Sequence, residues 1–180
     1  MRGADKLAEP VAGEPLLARQ VRIAREAGLD PLIALPPPPH PRYALIGGAR
    51  ALPVPDAALG MGRSIAAGVA ALQGAPAILL LLADLPEIEA EDLRAILAAR
   101  RAHPGDAVWR GADGARGGHP ILFAPEAYLA LMALRGDDGG RAVAAALAPR
   151  TRLVPLPGAR ARLDLDTPEE WAAWRARTGR

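Results

Sequence analysis

The sequence predicts an α/β protein, with a mostly parallel central sheet covered by helices on both faces. The first reason is the order of its patterns, in which short apolar segments alternate with stretches of helical periodicity. The second is the run Ala77–Pro86, A-I-L-L-L-L-A-D-L-P. A continuous apolar run too short to cross a membrane is typical of a strand buried on both faces. The 180 residues suffice for one domain with a full core.

One helix and one strand are predicted in the first part of the chain. Pro15 stands at a first helical position, and apolar residues recur at helical spacing until Gly28, a natural helix stop. Pro31–Leu35 is predicted as a short strand. Pro36–Pro41 is a stiff polyproline-like loop, in which His40 is expected to be solvated.

The middle of the chain continues the alternation of strands and helices. Tyr43–Ile46 and Ala51–Val54 are weak strand candidates, and Leu59–Leu72 has the pattern of an amphipathic helix. Ala77–Ala83 is the buried strand introduced above. Glu89–Arg101 is a helix with acids in its first turn and arginines in its last, as the helix dipole favours.

The last third contains four more strands and three more helices. Its predicted elements, in chain order, are the strands Asp106–Trp109 and Gly118–Phe123, the helices Pro125–Leu134 and Ala142–Leu147, the strands Thr151–Leu156 and Arg162–Leu165, and a final helix opened by Thr167 with a capping pattern. No internal repeat or interdomain linker interrupts them, so residues 1–180 are predicted to form a single domain.

Composition excludes several functional classes. The chain has no cysteine, which rules out disulfides, thiolate nucleophiles and sulfur-ligated metals. No apolar run is long enough to span a bilayer and no secretory signal precedes the first polar segment, which fits a cytoplasmic protein without a membrane partner. Arginines are scattered and aromatic residues are 3%, so nucleic-acid binding is not expected.

Asp84 and Lys6 are the first candidate functional residues. Asp84 ends the apolar run, and α/β sheets bind ligands at the carboxyl ends of their strands, where a carboxylate can hold a divalent cation. The alternative is that Asp84 caps the helix that begins near Glu89. Lys6 is the only lysine among many arginines, which favours a position that needs a compact point charge. A solvated lysine near a terminus is the alternative.

Three further motifs each have a functional and a structural interpretation. Gly60–Ser64 could approach a nucleotide base closely, or could simply begin a helix. Asp164 and Asp166 alternate with apolar residues, so they are predicted to share one face of a strand end as further metal ligands. Asp166 could equally belong to the cap of the last helix. His119 is expected to be a loop or core histidine rather than a base.

The order of the motifs is more specific than any one of them. They are R-G-A-D-K-L-A-E-P-V-A-G-E-P-L-L, G-M-G-R-S-I-A-A-G, L-L-L-L-A-D-L-P, G-G-H-P-I-L-F, G-D-D-G-G-R and L-D-L-D-T-P-E-E-W. In this order they resemble the MobA-like nucleotidyltransferase family over nearly the whole chain. Within that family the sequence is most similar to the molybdenum cofactor cytidylyltransferases, because the guanylyltransferases usually differ at Gly60–Ser64 and tend to have asparagines at positions 164 and 166.

The resemblance implies a three-layer Rossmann-like fold of the nucleotide-diphospho-sugar transferase type. It also implies Mg²⁺-dependent transfer of CMP from CTP to a molybdopterin-type phosphate acceptor, with release of pyrophosphate and with a molybdoenzyme as a further partner. Guanylyl transfer, or transfer to another phosphorylated acceptor, is the alternative within the enzyme class. A non-catalytic protein that holds a nucleotide or pterin for a molybdoenzyme is the alternative outside it.

Site residues follow from the same resemblance. Lys6 and Asp84 would be catalytic, with Lys6 neutralising the NTP phosphates and Asp84 binding Mg²⁺ together with Asp164 or Asp166. The residues expected to bind the nucleotide are Lys6, Gly60, Gly62, Ser64 and Asp84. The residues expected on the acceptor side are Gly118, His119, Pro120, Asp137 and Arg141.

The sequence departs from the family at its start. The family begins with a strand in the middle of the sheet and a glycine-rich loop, L-A-A-G-x-S-x-R, and the present sequence starts after that loop. Loss of this strand is expected to leave a hydrophobic slot and unpaired backbone groups. The missing loop favours the non-catalytic alternative, whereas retention of Lys6, Asp84, Asp164 and Asp166 favours the enzyme.

Overall fold

Strands and helices alternate through the computed structural model, which describes residues 5–180. The first residues of the N-terminal motif, Arg2, Gly3 and Ala4, lie outside the described residues. The strands are β1 (Pro10–Val11), β2 (Glu14–Pro15), β3 (Leu32–Leu35), β4 (Arg50–Pro53), β5 (Ile78–Leu80), β6 (Val108–Asp113), β7 (Arg116–Phe123) and β8 (Thr151–Pro155). The helices are α1 (Leu16–Glu26), α2 (Met61–Leu72), α3 (Ala90–Ala102), α4 (Tyr128–Met132), α5 (Gly140–Ala146) and α6 (Pro168–Thr178).

Local sequence signals determine the helix ends. Helix α1 ends before Gly28, whose φ of 81° is left-handed and therefore suits glycine. Helix α3 begins with a reciprocal capping box between Glu89 and Asp92. Helix α6 begins with the same arrangement between Thr167 and Glu170, which confirms the predicted cap.

The main sheet has the strand order β5-β7-β6-β8. Strand β7 is antiparallel to both β5 and β6, whereas β8 is parallel to β6, so three of the four strands run in one direction. The one strand that runs in the opposite direction is β7, which forms a hairpin with β6. Its turn contains Gly114 at φ 57°, and it is shorter than predicted because both strands extend into the R-G-A-D-G-A-R-G segment.

Alternate residues of β7 belong to two different cores. Ile121 and Phe123 pack in the cluster that contains residues of α2, α4 and α5, whereas Leu122 packs with residues of α1 and α3. Because successive side chains of a strand point to opposite faces, helices cover both faces of this sheet. The arrangement is the predicted three-layer α/β fold.

Strands β3 and β4 form a separate parallel pair. Between β3 and β5 lies an apolar cleft of about 440 Å³, which is lined by residues of α1, α2 and both strands. Within residues 5–180, one edge of β3 and one edge of β5 pair with no other strand. The sequence led us to expect a hydrophobic slot, and an apolar cleft is observed here, whereas its origin in a missing strand stays a prediction.

This cleft changes the environment of the central apolar run. The expected strand over Ala77–Ala83 is regular only at Ile78–Leu80, and Leu79 to Ala83 are half-buried rather than covered on both faces. The prediction of a fully buried strand was therefore wrong in extent. The reason is that Leu79–Ala83 lines the open cleft.

Three other predicted elements also differ. Pro41–Leu45 forms a short 3₁₀ helix instead of a strand, because the His40 ring accepts a hydrogen bond from the Arg42 N–H and caps it. Residues 125–134 form a 3₁₀ turn followed by α4. Residues 162–165 form no strand; Leu163 and Leu165 pack instead against the tryptophans of α6.

The length and apolar character of the helices in the described part of the chain can be compared with those of a membrane-spanning helix. None of the helices between residues 5 and 180 has the length and apolar character required to cross a bilayer.

Candidate active site

Lys6 joins two carboxylates from distant parts of the chain. Its Nζ donates hydrogen bonds to Oδ2 of Asp84 at 2.7 Å and to Oδ1 of Asp166 at 2.8 Å. These partners lie 78 and 160 positions away in the sequence. The alternative that Lys6 is a solvated terminal lysine is therefore wrong, and the structure brings three of the predicted site residues into contact.

Asp5 and Arg42 hold the segment that carries Lys6. Asp5 caps a 3₁₀ turn over Lys6–Ala8 by accepting a hydrogen bond from the Leu7 N–H at 3.1 Å. Arg42 binds both carboxylate oxygens of Asp5, at 2.7 and 2.9 Å. The hydrogen bonds from Arg42 lower the pKa of Asp5 despite its burial. This fork-shaped contact restrains the residue immediately before Lys6.

The ion pairs of Lys6 shift the pKa values of Lys6 and Asp166. Burial by itself would lower the pKa of Lys6, but hydrogen bonds to Asp166 and Asp84 outweigh it and raise that pKa. The hydrogen bond from Lys6, followed by its charge, lowers the pKa of Asp166. Lys6 and Asp166 are therefore charged at neutral pH.

Asp84 has one oxygen that is suited to a metal ion. Its Oδ2 binds Lys6, while its Oδ1 is buried and has no hydrogen-bond partner in the described part of the chain. A buried carboxylate oxygen without a partner is costly unless a ligand binds it. The alternative that Asp84 caps α3 is wrong, because Glu89 and Asp92 form that cap.

Asp164 and Asp166, the two candidates for the second metal ligand, have different surroundings. Asp166 accepts a hydrogen bond from Lys6, and its backbone N–H donates to Glu170 at 2.8 Å, so it takes part in the cap of the last helix, whereas metal binding by Asp166 stays a prediction. Asp164 is exposed, and the premise of a shared strand face fails because no strand forms there. Among residues 5–180, no group of three or more histidine or carboxylate side chains could hold a metal. A metal at Asp84 and Asp166 would therefore need oxygens from substrate and water, as Mg²⁺ commonly does.

Gly60 and Gly62 have a packing role at the predicted nucleotide segment. The Gly62 N–H donates to the Gly136 carbonyl at 2.9 Å. A Cβ added at Gly60, whose φ is 116°, would lie 2.2 Å from the Gly136 carbonyl group. The glycines thus let two backbone segments meet, whereas Ser64 lines the apolar cleft. Nucleotide binding by this segment stays a prediction.

Gly118 and His119 lie on β7 against the loop that contains Ala161. The His119 N–H donates to the Ala161 carbonyl at 2.7 Å, and a Cβ at Gly118 would lie 1.9 Å from that oxygen. His119 has a buried Nδ1 without a hydrogen-bond partner in the described structure. Burial lowers the pKa of His119 from 6.5 to about 4, so the ring is neutral at pH 7. Pro120 is buried.

Asp137 and Arg141 are both exposed. Arg141 follows Gly140, at which a Cβ would lie 2.7 Å from a Leu80 methyl group, so the start of α5 packs on β5. The start of α5 with Arg141 is therefore located near the carboxyl end of β5, whereas the Asp137 backbone lies against Gly60 of the predicted nucleotide segment. Their binding role stays a prediction.

Sequence reasoning missed Asp5 and Arg42 as positioning residues. In the sequence, Asp5 is notable only as the residue before Lys6, and Arg42 is 37 positions away from Asp5. The Pro-rich segment around His40 was the available signal, since it holds Arg42 in place through the His40 ring.

Comparison with known proteins identifies the family. The model of the MobA-like NTP transferase domain matches residues 1–151. The chain belongs to the MobA-like NTP transferase family. It is accordingly an enzyme of the nucleotidyltransferase type, which confirms the resemblance found in the sequence. The purine catabolism protein PucB of Bacillus subtilis (strain 168) is 28% identical over 151 residues, covering 77% of this chain and 72% of PucB.

Solved structures support the fold of this family member. Rv0371c from Mycobacterium tuberculosis H37Rv is 23% identical with a TM-score of 0.80, and the match covers 96% of this chain and 89% of that one. Its complex with manganese matches with 23% identity and a TM-score of 0.76, over 93% of this chain and 89% of the other. A CMP:2-keto-3-deoxy-manno-octonic acid synthetase complexed with CTP is 14% identical with a TM-score of 0.72, over 97% and 91%.

Proposed function

We propose that this MobA-like protein transfers CMP from CTP to a molybdopterin-type phosphate acceptor in a Mg²⁺-dependent reaction. The observation that carries the proposal is the Lys6 ammonium held between Asp84 and Asp166. A cation and two carboxylates at the carboxyl end of a strand are the groups that phosphate transfer with a metal requires. The CTP-bound synthetase of the same fold supports the choice of donor.

The chain's own groups act by position and charge. Lys6, which contacts Asp84 and Asp166, would neutralise triphosphate oxygens. Asp84 and Asp166 would hold Mg²⁺, which supplies charge neutralisation along the triphosphate when bound. The acceptor phosphate would attack the α-phosphorus in line, and pyrophosphate would leave. No covalent intermediate is required, so alignment of the reactants and electrostatic stabilisation account for the rate.

The acceptor phosphate would approach from the side of Gly118, His119, Pro120, Asp137 and Arg141. His119 is neutral and largely buried there, so it would not exchange a proton with the acceptor near pH 7. Gly60, Gly62 and Ser64 would form the side that binds the cytosine or ribose. A cytoplasmic location and a molybdoenzyme that receives the product are part of the same proposal.

Another donor and acceptor form the second candidate. The relative PucB is named for purine catabolism, and a structural neighbour of 12% identity, TM-score 0.68, is a molybdopterin-guanine dinucleotide biosynthesis protein. These names support guanylyl transfer, or transfer to another phosphorylated acceptor, by the same Lys6–Asp84–Asp166 group. The non-catalytic alternative needs no such group, and is disfavoured for that reason.

The apolar cleft between β3 and β5 concerns the strand that precedes the glycine-rich loop in the family. We propose that the cleft is the place for a further strand between β3 and β5. Both facing edges pair with no strand in the described residues, and Gln20, which is 3% exposed, lines the cleft with an Oε1 that has no partner there. A strand leaving this cleft at its Ala83 end would bring the following loop to Asp84.

Thermal stabilisation by each of the four NTPs with Mg²⁺ tests the donor. A ligand at a hundredfold excess over its dissociation constant stabilises the native state by about 2.7 kcal/mol, which is a clear shift in Tm. We expect protection by CTP above the other NTPs, and loss of that protection in Lys6→Gln. Arg94→Gln, which removes an exposed ion pair with Glu91, is the matched control and should keep it.

Three other results of this experiment would each contradict part of the proposal. Protection by GTP above CTP would replace the proposed donor by the guanylyl alternative. Equal protection of the wild type and Lys6→Gln would contradict the role of Lys6. Protection by no NTP would support the non-catalytic alternative for this chain, because the residues named above would then fail to bind the donor at all.

A further inference from the structure

Helix α6 begins immediately after Asp166 and fixes the backbone of that residue. The N–H groups of Asp166 and Thr167 donate hydrogen bonds to Oε2 of Glu170 in the first turn of the helix, at 2.8 and 2.9 Å. On the other side of Asp166, the carbonyl of Leu165 accepts a hydrogen bond from Nε1 of Trp171 at 3.2 Å. The position of the Asp166 carboxylate therefore depends on where α6 lies.

The next turns of α6 are attached to the loop that follows Asp84. Nε1 of Trp174 donates a hydrogen bond to Oε1 of Glu87 at 2.9 Å, and the exposed Arg177 donates to the same oxygen at 3.1 Å. Trp174 is 2% exposed, and the side chain of Glu87 is 14% exposed. Because a hydrogen bond to a shielded carboxylate is strong and directional, it holds α6 at a defined distance from the loop.

The loop after Asp84 is itself held by α1. The Leu85 carbonyl accepts a hydrogen bond from Nε2 of Gln20 at 2.7 Å. The Ile88 carbonyl accepts another from Arg19 at 2.6 Å, and both donors are buried on α1. The side chain at position 87 thus extends from a loop that is anchored on either side of it, so its bond to α6 places the helix rather than the loop.

The same helix is attached to the segment that carries Lys6. Arg175 donates to Oε2 of Glu9 at 2.8 Å and to the Pro10 carbonyl at 3.2 Å. Its guanidinium lies 5.0 Å from the centre of the Trp171 ring, an attractive contact that keeps it in place. The N–H of Glu9 in turn donates to the Lys6 carbonyl at 3.3 Å. Helix α6 is therefore joined to each of the three chain segments whose side chains meet at the candidate site.

We propose that Glu87 is a positioning residue for the candidate site. Through Trp174 it sets where α6 lies, and α6 in turn holds the Asp166 carboxylate in contact with Lys6. Both hydrogen bonds that Glu87 accepts come from α6, so its carboxylate acts through the helix and not on a ligand. That the contact between Lys6 and Asp166 serves a metal and a triphosphate rests on the proposed function, whereas the positioning can be measured without either ligand.

The rate at which Lys6 is acylated measures its contacts in the ligand-free chain. Lys6 is the only lysine, so its modification by an N-hydroxysuccinimide ester can be followed on a single peptide by mass spectrometry. Such esters react with the neutral amine, which hydrogen bonds to carboxylates disfavour. We expect Asp166→Asn to speed the reaction about threefold, the range of a part-exposed ion pair. Glu87→Ala should match this acceleration because it releases α6.

Two comparisons separate positioning from a general loss of structure. Glu87→Gln keeps an acceptor for Trp174 and loses only the charge, so Lys6 should react as in the wild type. In the Asp166→Asn background, Glu87→Ala should cause no further acceleration, because both substitutions remove the same contact. Glu91→Gln, which breaks an exposed ion pair on α3, is the matched control and should leave the rate unchanged.

Trp174→Phe removes the same hydrogen bond from the side of the helix while keeping an aromatic ring in the core. It should accelerate acylation as Glu87→Ala does, and urea unfolding of both variants shows that the folded chain is being labelled. An acylation rate equal to that of the wild type in both variants would overturn the proposal. So would an equal acceleration by Glu87→Ala with and without the Asp166 carboxylate, since that result would indicate general loosening.

Binding of Mg²⁺ with CTP, followed by Tm, connects the positioning to the proposed function. We expect Glu87→Ala to weaken this binding several-fold, as Asp166→Asn does, and Glu87→Gln to bind normally. If Lys6 is acylated as expected but Mg²⁺ and CTP fail to protect even the wild type, the proposed function is wrong while the positioning stands. Normal Mg²⁺ binding and unchanged acylation in Glu87→Ala would contradict the positioning alone.

Discussion

The Nζ of Lys6 lies 2.7 Å from Oδ2 of Asp84, although 78 positions separate the two residues. The other oxygen of Asp84 is buried without a hydrogen-bond partner in the described structure. One carboxylate thus balances the only lysine of the chain and still presents an oxygen to a ligand. This arrangement makes a metal-dependent role for Asp84 directly testable.

Asp84→Asn should weaken binding of Mg²⁺ and NTP at least about tenfold, because an amide oxygen is a poorer Mg²⁺ ligand than a carboxylate. The fold should remain, since a part-exposed pair such as Lys6–Asp84 contributes roughly 0–1 kcal/mol. Magnesium titration in the presence of CTP, followed by Tm, measures the change. Full metal-dependent protection in this variant would exclude Asp84 as a ligand.

Asp166→Asn and Asp164→Asn should behave differently. Asp166 contacts Lys6 and is therefore close to Asp84, whereas Asp164 is exposed outside this contact. We expect Asp166→Asn to lower Mg²⁺ affinity several-fold and Asp164→Asn to change it less than about twofold, within the usual range of surface substitutions. The same titration applies, and a larger effect from Asp164→Asn would transfer the second metal ligand to that residue.

Gly118→Ala should destabilise the protein by about 1–3 kcal/mol, the usual cost of overpacking. The new Cβ would lie 1.9 Å from the Ala161 carbonyl oxygen, which is backbone and cannot turn away as a side chain can. Urea unfolding measures the loss. Gly105→Ala is the control, since nothing lies within 4 Å of its added Cβ. Equal stability of the two variants would show that the Ala161 loop yields without cost.

His119 should make stability depend on pH below neutrality. The unfolded chain protonates this ring near its ordinary pKa of 6.5, whereas the folded chain does so only near 4. Between these values the unfolded state binds more protons, so the free energy of unfolding falls as pH falls, by up to about 1.4 kcal/mol per pH unit. The contribution of the neutral His119 ring to the free energy of unfolding is fully present above pH 6.5 and is lost as the pH falls toward 4.

His119→Gln should remove this contribution and flatten the pH profile in that window. Urea unfolding between pH 7 and pH 4.5 measures the difference. His103→Gln, an exposed histidine, should leave the profile unchanged. Parallel profiles of the wild type and His119→Gln would contradict the buried, neutral ring.

Gly68→Ala should stabilise the protein by about 0.5–1 kcal/mol, because glycine within a helix costs this amount relative to alanine. Gly68 lies in α2 and lines the apolar cleft, and nothing lies within 4 Å of an added Cβ. Gly68→Leu should in addition fill part of the cleft and reduce binding of an apolar dye such as ANS. Unaltered dye fluorescence in Gly68→Leu would mean that ANS binds elsewhere.

The local part of the fold could be predicted from the sequence because short patterns encode it. The cap of α6, the charge pattern of α3, the stop at Gly28 and the hairpin strands depend on neighbours within a few positions. The order of the motifs also sufficed to indicate the family. Apolar alternation at Arg162–Leu165 misled because packing against a helix produces the same pattern as pairing in a sheet.

The sequence by itself determined the α/β class, the ends of its main helices and the candidate status of Lys6 and Asp84. Tertiary structure alone decided that Asp166 rather than Asp164 meets Lys6, that Trp174 meets Glu87, and that the sheet opens into a cleft beside β5. The physical reason is sequence distance. Periodicity and capping report contacts within about a turn, whereas Lys6 and Asp166 are 160 positions apart in the sequence, and only the packed chain brings them together.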